Sequence, residues 1–177
     1  MSNHPGPIQP LNLDGPTLIP GRTFRRTPGV HFSDIGIQGT NGLDLVEHSG
    51  RSVSPPDKLG RKQWYVHKYQ TDHNRVLRGH RLFELYYQHW TTPHWFLMLD
   101  AESGALRIPR GCLHRSYSGV DGSLLINQAV RSSKYDENTE FVPVYSWRQK
   151  WCTNPTGYYN TTPHEVREFI EHGKVLR

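Results

Sequence analysis

The stretch "GALRIPRGCLHRSYSG", Gly104 to Gly119, decides the architecture of this chain. Leu106 and Ile108 form a short alternating apolar run, Pro109 follows at once, Gly111 comes two residues later and His114 three after that. Pro109 presets φ at the second position of a type I turn and Gly111 suits its last position. The chain is therefore predicted to reverse sharply and re-enter a strand near Leu113 and His114. A histidine that follows so stiff a turn is easily aimed.

Working outward, "KQWYVHKYQ" places Trp64 and Val66 in alternation with Tyr65, His67 and Tyr69, the period-two pattern of a strand with one apolar and one aromatic, histidine-bearing face. The runs "RVLRG", "LFELYYQ", "HWFLML", "ALRI", "SLLINQAV" and "FVPVYSW" predict further strands. Turn chemistry separates them at Arg78-Gly79, Thr91-Thr92-Pro93, Glu102-Ser103-Gly104 and Val120-Asp121-Gly122-Ser123. Short strands with no helical period between them predict an antiparallel sandwich or barrel. The helix signal is C-terminal: Thr162 as N-cap, Pro163 at the first helical position, Glu165 completing a capping box, an apolar stripe of Val166, Phe169 and Ile170, and Gly173 as the stop. The opening residues are too rich in Pro and Gly for a helix or a central strand. The predicted division is thus an extended arm over residues 1–28, a barrel over 29–160, and a helix over 161–177 packed on the barrel.

At 177 residues with 34% hydrophobic side chains and a mean hydropathy of -0.71, the chain suits a single domain with a polar-lined interior. Its net charge of +5 favours an anionic partner. Arg75, Arg78, Arg81, Arg107, Arg110 and Arg115 are dispersed rather than blocked, which points away from nucleic acid and towards a small anionic ligand. No apolar run reaches membrane-spanning length, and the two cysteines, Cys112 and Cys152, fit a reducing compartment. The cytoplasm is the expected location. There is no Walker-type glycine loop and no G-x-S-x-G elbow.

Pro109-x-Gly111-x-x-His114 resembles the second motif of the cupin superfamily, and "VHKYQTDHNRVLRG" resembles its first. Within that superfamily the chain is most similar to the dTDP-4-dehydrorhamnose 3,5-epimerase branch. The pieces "VHKYQ", "RVLRGHRLFEL", "LDAESGALRIPRGCLHRSYS" and "KYDENTEF" follow one another in that family's order over residues 65 to 141. The resemblance implies an all-β, cupin-type jelly roll and an epimerase or keto-isomerase acting on a nucleotide-linked 4-keto-6-deoxy sugar, without a cofactor. It places the catalytic base on His67 and a second site histidine on His114. The family's general-acid tyrosine falls on Asn127, the arginine before the base falls on Trp64, and the C-terminal aspartate that partners the base has no counterpart. Tyr65, Tyr69, Arg75, Arg107, Asn127 and Tyr135 are the candidate substrate-binding residues, with Arg75 or Arg107 on the diphosphate.

Proton abstraction beside a ketone needs a base that titrates near operating pH, and an unperturbed imidazole at about 6.5 supplies one. Two other readings stay open. His67, His114 and either His73 or Asp72 form a donor set for a divalent metal such as Fe, Mn or Zn, which would make this a metal-dependent oxygenase or lyase. A barrel that binds a sugar or nucleotide without turnover is the third. His80, His89 and His94 read as surface or edge residues, Trp90 and Trp95 as core packing, and Cys112 as a small buried hydrophobe. Exposed sheet edges and the arm suit a homodimer.

Overall fold

The computed structural model describes residues 10–55, 63–145 and 156–175. Cys152, the first nine residues of the arm, and Ser146 and Trp147 of the last predicted strand lie outside the described residues. Two long antiparallel strands, β8 (Gln70–Tyr86) and β11 (Leu113–Arg131), organise the rest. The first half of β8 carries β10 (Ala105–Ile108), then β2 (Thr17–Ile19) and β1 (Leu11–Asn12), while the second half of β11 carries β5 (Gly42–His48). These strands make one leaf. The second half of β8 pairs with β9 (His94–Leu99), which takes β13 (Thr156–Tyr159) in parallel. The first half of β11 pairs with β6 (Ser52–Ser54) and β7 (Gln63–Val66), and β7 with β12 (Val142–Tyr145). This is the second leaf. The two leaves close face to face as an all-β jelly roll of the cupin type.

The predicted turns at Arg78-Gly79 and Val120–Ser123 are not turns. Both lie inside continuous strands, where the β8–β11 register shifts between Ser118 and Ser123 and again between Leu124 and Leu125. An extra residue flips the side of every residue beyond it. Before the shift the inward residues of β8 include Asp72, Asn74 and Val76; after it they are Arg81, Phe83 and Leu85. In β11 the inward set changes from His114 and Ser116 to Leu125 and Asn127. The predicted strand across Lys62–Gln70 is also interrupted, by a bend at His67–Tyr69 between β7 and β8.

The Pro109 turn sits one residue later than predicted. The Cys112 N–H donates to Pro109 O at 3.2 Å, so Pro109 opens the turn and Gly111, at φ 78°, occupies its third position. A positive φ there makes it a type II turn, the geometry that favours glycine.

The apolar interior gathers Leu18, Val76, Phe83, Leu85, Leu97, Leu99, Leu106 and Leu125 between the leaves. Leu18 belongs to the predicted arm, so that segment is not simply extended: Pro16 and Pro20 flank β2 rather than interrupt it, and β2 docks on β10. β3 (Arg22–Thr27) and β4 (Val30–Asp34) form a separate hairpin, and residue 28 falls in its turn.

α2 (Pro163–His172) has the caps that its sequence demands. Glu165 N–H donates to the Thr162 hydroxyl at 3.3 Å, and Gly173 closes the helix at φ 70°. Val166 and Phe169 pack on Leu82, Met98 and Tyr117 of the outer face of the second leaf. The helix end approaches so closely that a Cβ on Gly119 would lie 2.4 Å from Gly173 O. Phe169 is 1% exposed, so Phe169→Ala is expected to cost about 3–5 kcal/mol, read as a lowered denaturant midpoint with unchanged m-value.

Candidate active site

Between the leaves, beside the apolar core, lies a cavity of about 200 Å³. Its walls are the inward residues of the long strands and of β5, with Tyr65 and His67 from the β7 end and Phe141 at the rim. The alternation "QTDHN" at 70–74 thus has one polar face, Gln70, Asp72 and Asn74, turned inward.

Asp72 is the centre of the site. Its Oδ2 lies 3.2 Å from His67 Nε2 and 3.8 Å from His114 Nε2. Its Oδ1 accepts from Gln70 Nε2 at 2.6 Å and from Asn127 Nδ2 at 3.0 Å. Burial opposes the Asp72 charge, but the two histidines and Asn127 outweigh it and hold the carboxyl down at about 2. The buried His67 ring would lose its proton to desolvation alone; Asp72, with help from Glu140 at the end of α1 (Glu137–Glu140), reverses this and raises its pKa. Burial and the neighbouring His67 charge push His114 the other way, to about 4. The His114 Nδ1–H donates to Cys112 O at 3.1 Å, which leaves the Nε2 lone pair on the Asp72 side. The two rings stand 4.9 Å apart, and Tyr65 lies 6.2 Å from one and 6.3 Å from the other.

The Pro109 turn links the two histidines. Gly111 N–H donates to His67 O at 2.8 Å, so the turn that aims His114 also clamps the bend that carries His67. Burial raises the Tyr65 phenol, which stays a neutral donor. Asn127, where the resemblance places an acid, instead orients Asp72 and accepts from His73 N–H at 3.0 Å.

Several candidates lie elsewhere. His73 and Arg75 alternate with Asp72 and Asn74 and therefore occupy the opposite face of the leaf. His73 Nδ1 pairs with Gln128 O at 3.0 Å, and Arg75 donates to Ile19 O at 3.1 Å. Arg107 is exposed and pairs across the ladder with His73. Neither arginine lines the cavity. Tyr69 is at the bend, where its N–H donates to Glu140 Oε1, outside the cavity wall. Tyr135 lies under the Arg131 guanidinium at 4.5 Å; Arg131 in turn holds Asp44 and Gln70, two wall residues. Cys112 is fully buried, and burial pushes its thiol up, away from nucleophilic use. His94 is not a surface residue: it is buried, and with Arg115 and Tyr117 it binds the buried Glu84 on the far side of the second leaf.

Among the described residues, the groups that could hold a metal are His67, Asp72 and His114, whose donor atoms lie within 4.8 Å of one another. Asp72, not His73, supplies the third donor. Two imidazole nitrogens and one carboxylate fit a divalent cation with open positions.

The fold is that of cupin-like nucleotide-sugar enzymes. The sugar 3,4-ketoisomerase QdtA from Thermoanaerobacterium thermosaccharolyticum, solved with TDP, superposes with a TM-score of 0.53 at 15% identity, over 74% of this chain and 89% of that one. The dTDP-4-dehydrorhamnose 3,5-epimerase of Bacillus anthracis, solved with TDP and PPi, gives 0.56 at 13% identity over 83% and 86%. Its counterpart from Elizabethkingia anophelis gives 0.57 at 12% identity over 75% and 78%. No protein-family model and no curated protein sequence matches the chain.

Proposed function

We propose that this protein is a keto-isomerase of a nucleotide-linked 4-keto-6-deoxy sugar. The observation that carries this reading is the pair of histidines on one carboxylate, 4.9 Å apart and displaced in opposite directions from the ordinary imidazole range. Neighbouring groups pushed apart in pKa suit an acid and a base. His114, neutral with a free Nε2 lone pair, takes the proton from the carbon beside the ketone and leaves an enediolate. The hydroxyl proton on that carbon passes to the former carbonyl oxygen. His67, protonated and held by Asp72, delivers a proton to the former carbonyl carbon, so the ketone has moved by one carbon. The likeness in fold to ketoisomerases and epimerases of TDP-linked sugars supports the substrate class. Asn127, where the resemblance places a tyrosine acid, cannot donate a proton as one, which favours isomerisation over inversion at two centres. Our reading gives the base to His114, a weaker base than a free imidazole but the ring that is neutral at operating pH, where the resemblance implies His67.

A cavity of about 200 Å³ takes the sugar ring and leaves the nucleotide outside the barrel. Cytoplasmic residence and a homodimer complete the proposal. Leu43 and Leu45 on β5, 65% and 67% exposed, are the surface we assign to the second copy. No helix among the described residues is long and apolar enough to cross a membrane. The reading is tested by incubating the protein with a TDP-linked 4-keto-6-deoxy sugar in deuterated water; deuterium at the carbon beside the ketone and a displaced carbonyl support it, and neither appearing refutes it.

The convergence of His67, Asp72 and His114 supports the metal-dependent reading as the alternative. A cation there would polarise a carbonyl as a Lewis acid. Under our proposal, turnover survives chelation; near-stoichiometric metal that is lost together with activity on chelation, and absent from His114→Ala, would transfer the site to the metal class.

A further inference from the structure

Among the described residues, the buried carboxylates Asp72 and Glu84 have basic partners, His67 and Arg115, and the buried Arg75 on the opposite face of the leaf donates to Ile19 O. Arg81 is 0% exposed, lines the cavity, and donates only to uncharged acceptors: Ser123 Oγ at 2.8 Å, His48 Nε2 at 3.1 Å, Val46 O at 3.3 Å, and Ser116 Oγ and Ser123 O at 3.4 Å. His48 brings no second charge. Its Nδ1 faces Ser118 Oγ at 2.9 Å, and burial, with the Arg81 charge beside it, pushes its pKa down to about 4. Arg81 therefore keeps a full positive charge in a low-dielectric wall with no counter-ion, a state that costs free energy unless an anion completes it.

Ser116 connects this charge to the histidines. It sits two residues from His114 on the inward face of β11, it is 6% exposed, and it lines the same cavity. Its oxygen accepts from Arg81, and its hydroxyl hydrogen has no acceptor among the described residues, so it is free to point at a ligand. We propose that Ser116, polarised by Arg81, forms an oxyanion subsite that takes the ligand oxygen which becomes negative when His114 removes the neighbouring proton. Ser116 touches the ligand; Arg81 is the positioning residue that makes its hydroxyl a strong donor. The proposal rests on the reading of the cavity as a keto-sugar site, and it names the charge state that the site is built to hold.

The test compares two probes of the same shape, glycolate and glycolamide, titrated into the full-length protein while the Arg81 Nε–H and histidine ring resonances are followed by NMR. Glycolate is expected to bind at least about tenfold more tightly than glycolamide, the difference for a charge-assisted hydrogen bond, and to shift the Arg81 signal. That preference is expected to collapse in Ser116→Ala, a small change that leaves Arg81 its other partners, and in Arg81→Met, with partial recovery in Arg81→Lys. Equal binding of the two probes, no glycolate binding, or an undiminished preference in Ser116→Ala would overturn the subsite. Because the wild-type comparison needs no variant, a failure of Arg81→Met to fold leaves the test intact. Deuterium incorporation into the TDP-linked keto sugar is scored separately: if it is absent while the glycolate preference holds, the functional reading fails and the subsite stands, and the converse removes the subsite alone.

Discussion

Replacing His114 by Gln is expected to lower deuterium exchange into a TDP-linked 4-keto-6-deoxy sugar by about 10²–10⁴-fold, the usual contribution of a positioned general base. The expectation follows from the ring's surroundings. Its Nδ1–H is committed to Cys112 O, and burial with the His67 charge holds it at about 4, so at neutral pH Nε2 is a lone pair and not an N–H. Glutamine keeps polarity at that point without a basic nitrogen. His67→Gln removes the proton donor instead and leaves the base in place. That variant is expected to retain abstraction, seen as slow exchange, while losing conversion to the displaced ketone. Equal loss of both signals in the two variants would show that the roles are not divided, and unimpaired exchange in His114→Gln would take His114 out of the chemistry. Circular dichroism and the thermal midpoint of each variant separate these outcomes from unfolding.

How much of this was legible in the sequence depends on whether the signal was local. The C-terminal helix was readable to its caps, because Thr162, Pro163 and Gly173 act on their own backbone. The strands of the jelly roll were readable as alternation, which also picked out His67; His114 came from its spacing after Pro109 and Gly111, and the roles of both came from the family resemblance. The register shift at Gly79 and Gly122 was not. Each glycine taken alone reads as a turn, and only their meeting across the β8–β11 ladder makes one long bent strand of each pair. Everything that depends on which face a residue occupies was lost with it. Arg75 and Arg107, proposed for the diphosphate, do not line the cavity, and Arg81, on the inward face after the shift, was one of six dispersed arginines with nothing local to single it out. Asp72 had a visible signal, a carboxylate in step with Gln70 and Asn74. Its use was hidden because the bend at His67–Tyr69, which lets His67 and Asp72 face each other across five residues, is tied down by Gly111, more than forty residues away.

Asp72→Asn is expected to change the pH dependence as well as the rate. The carboxylate opposes the desolvation of His67, so removing its charge leaves burial dominant and the His67 pKa falls from its raised position. Activity that needs protonated His67 then fails at lower pH than in the wild type: the alkaline limb of kcat/KM moves down, and the rate at neutral pH drops by about 10²-fold or more. The acid limb responds differently. His114 is lowered first by burial and then by the His67 charge, while Asp72 works to raise it; without the carboxylate it stays neutral to acid pH, so the profile narrows from the alkaline side. Stability follows the same pair. Because Asp72 is depressed to about 2 from an ordinary 3.8, its contribution is present above the ordinary value and lost as pH falls towards 2. Because His67 is raised above 6.5, its share is complete below 6.5 and lost as pH rises through the folded-state value. The window in which both hold runs from about pH 4 to 6.5, and there Asp72→Asn is expected to destabilise most. A denaturation series across pH tests this: a stability loss in Asp72→Asn that does not shrink above pH 6.5, together with an unmoved alkaline limb, would show that Asp72 packs the cavity wall without controlling the charge of His67.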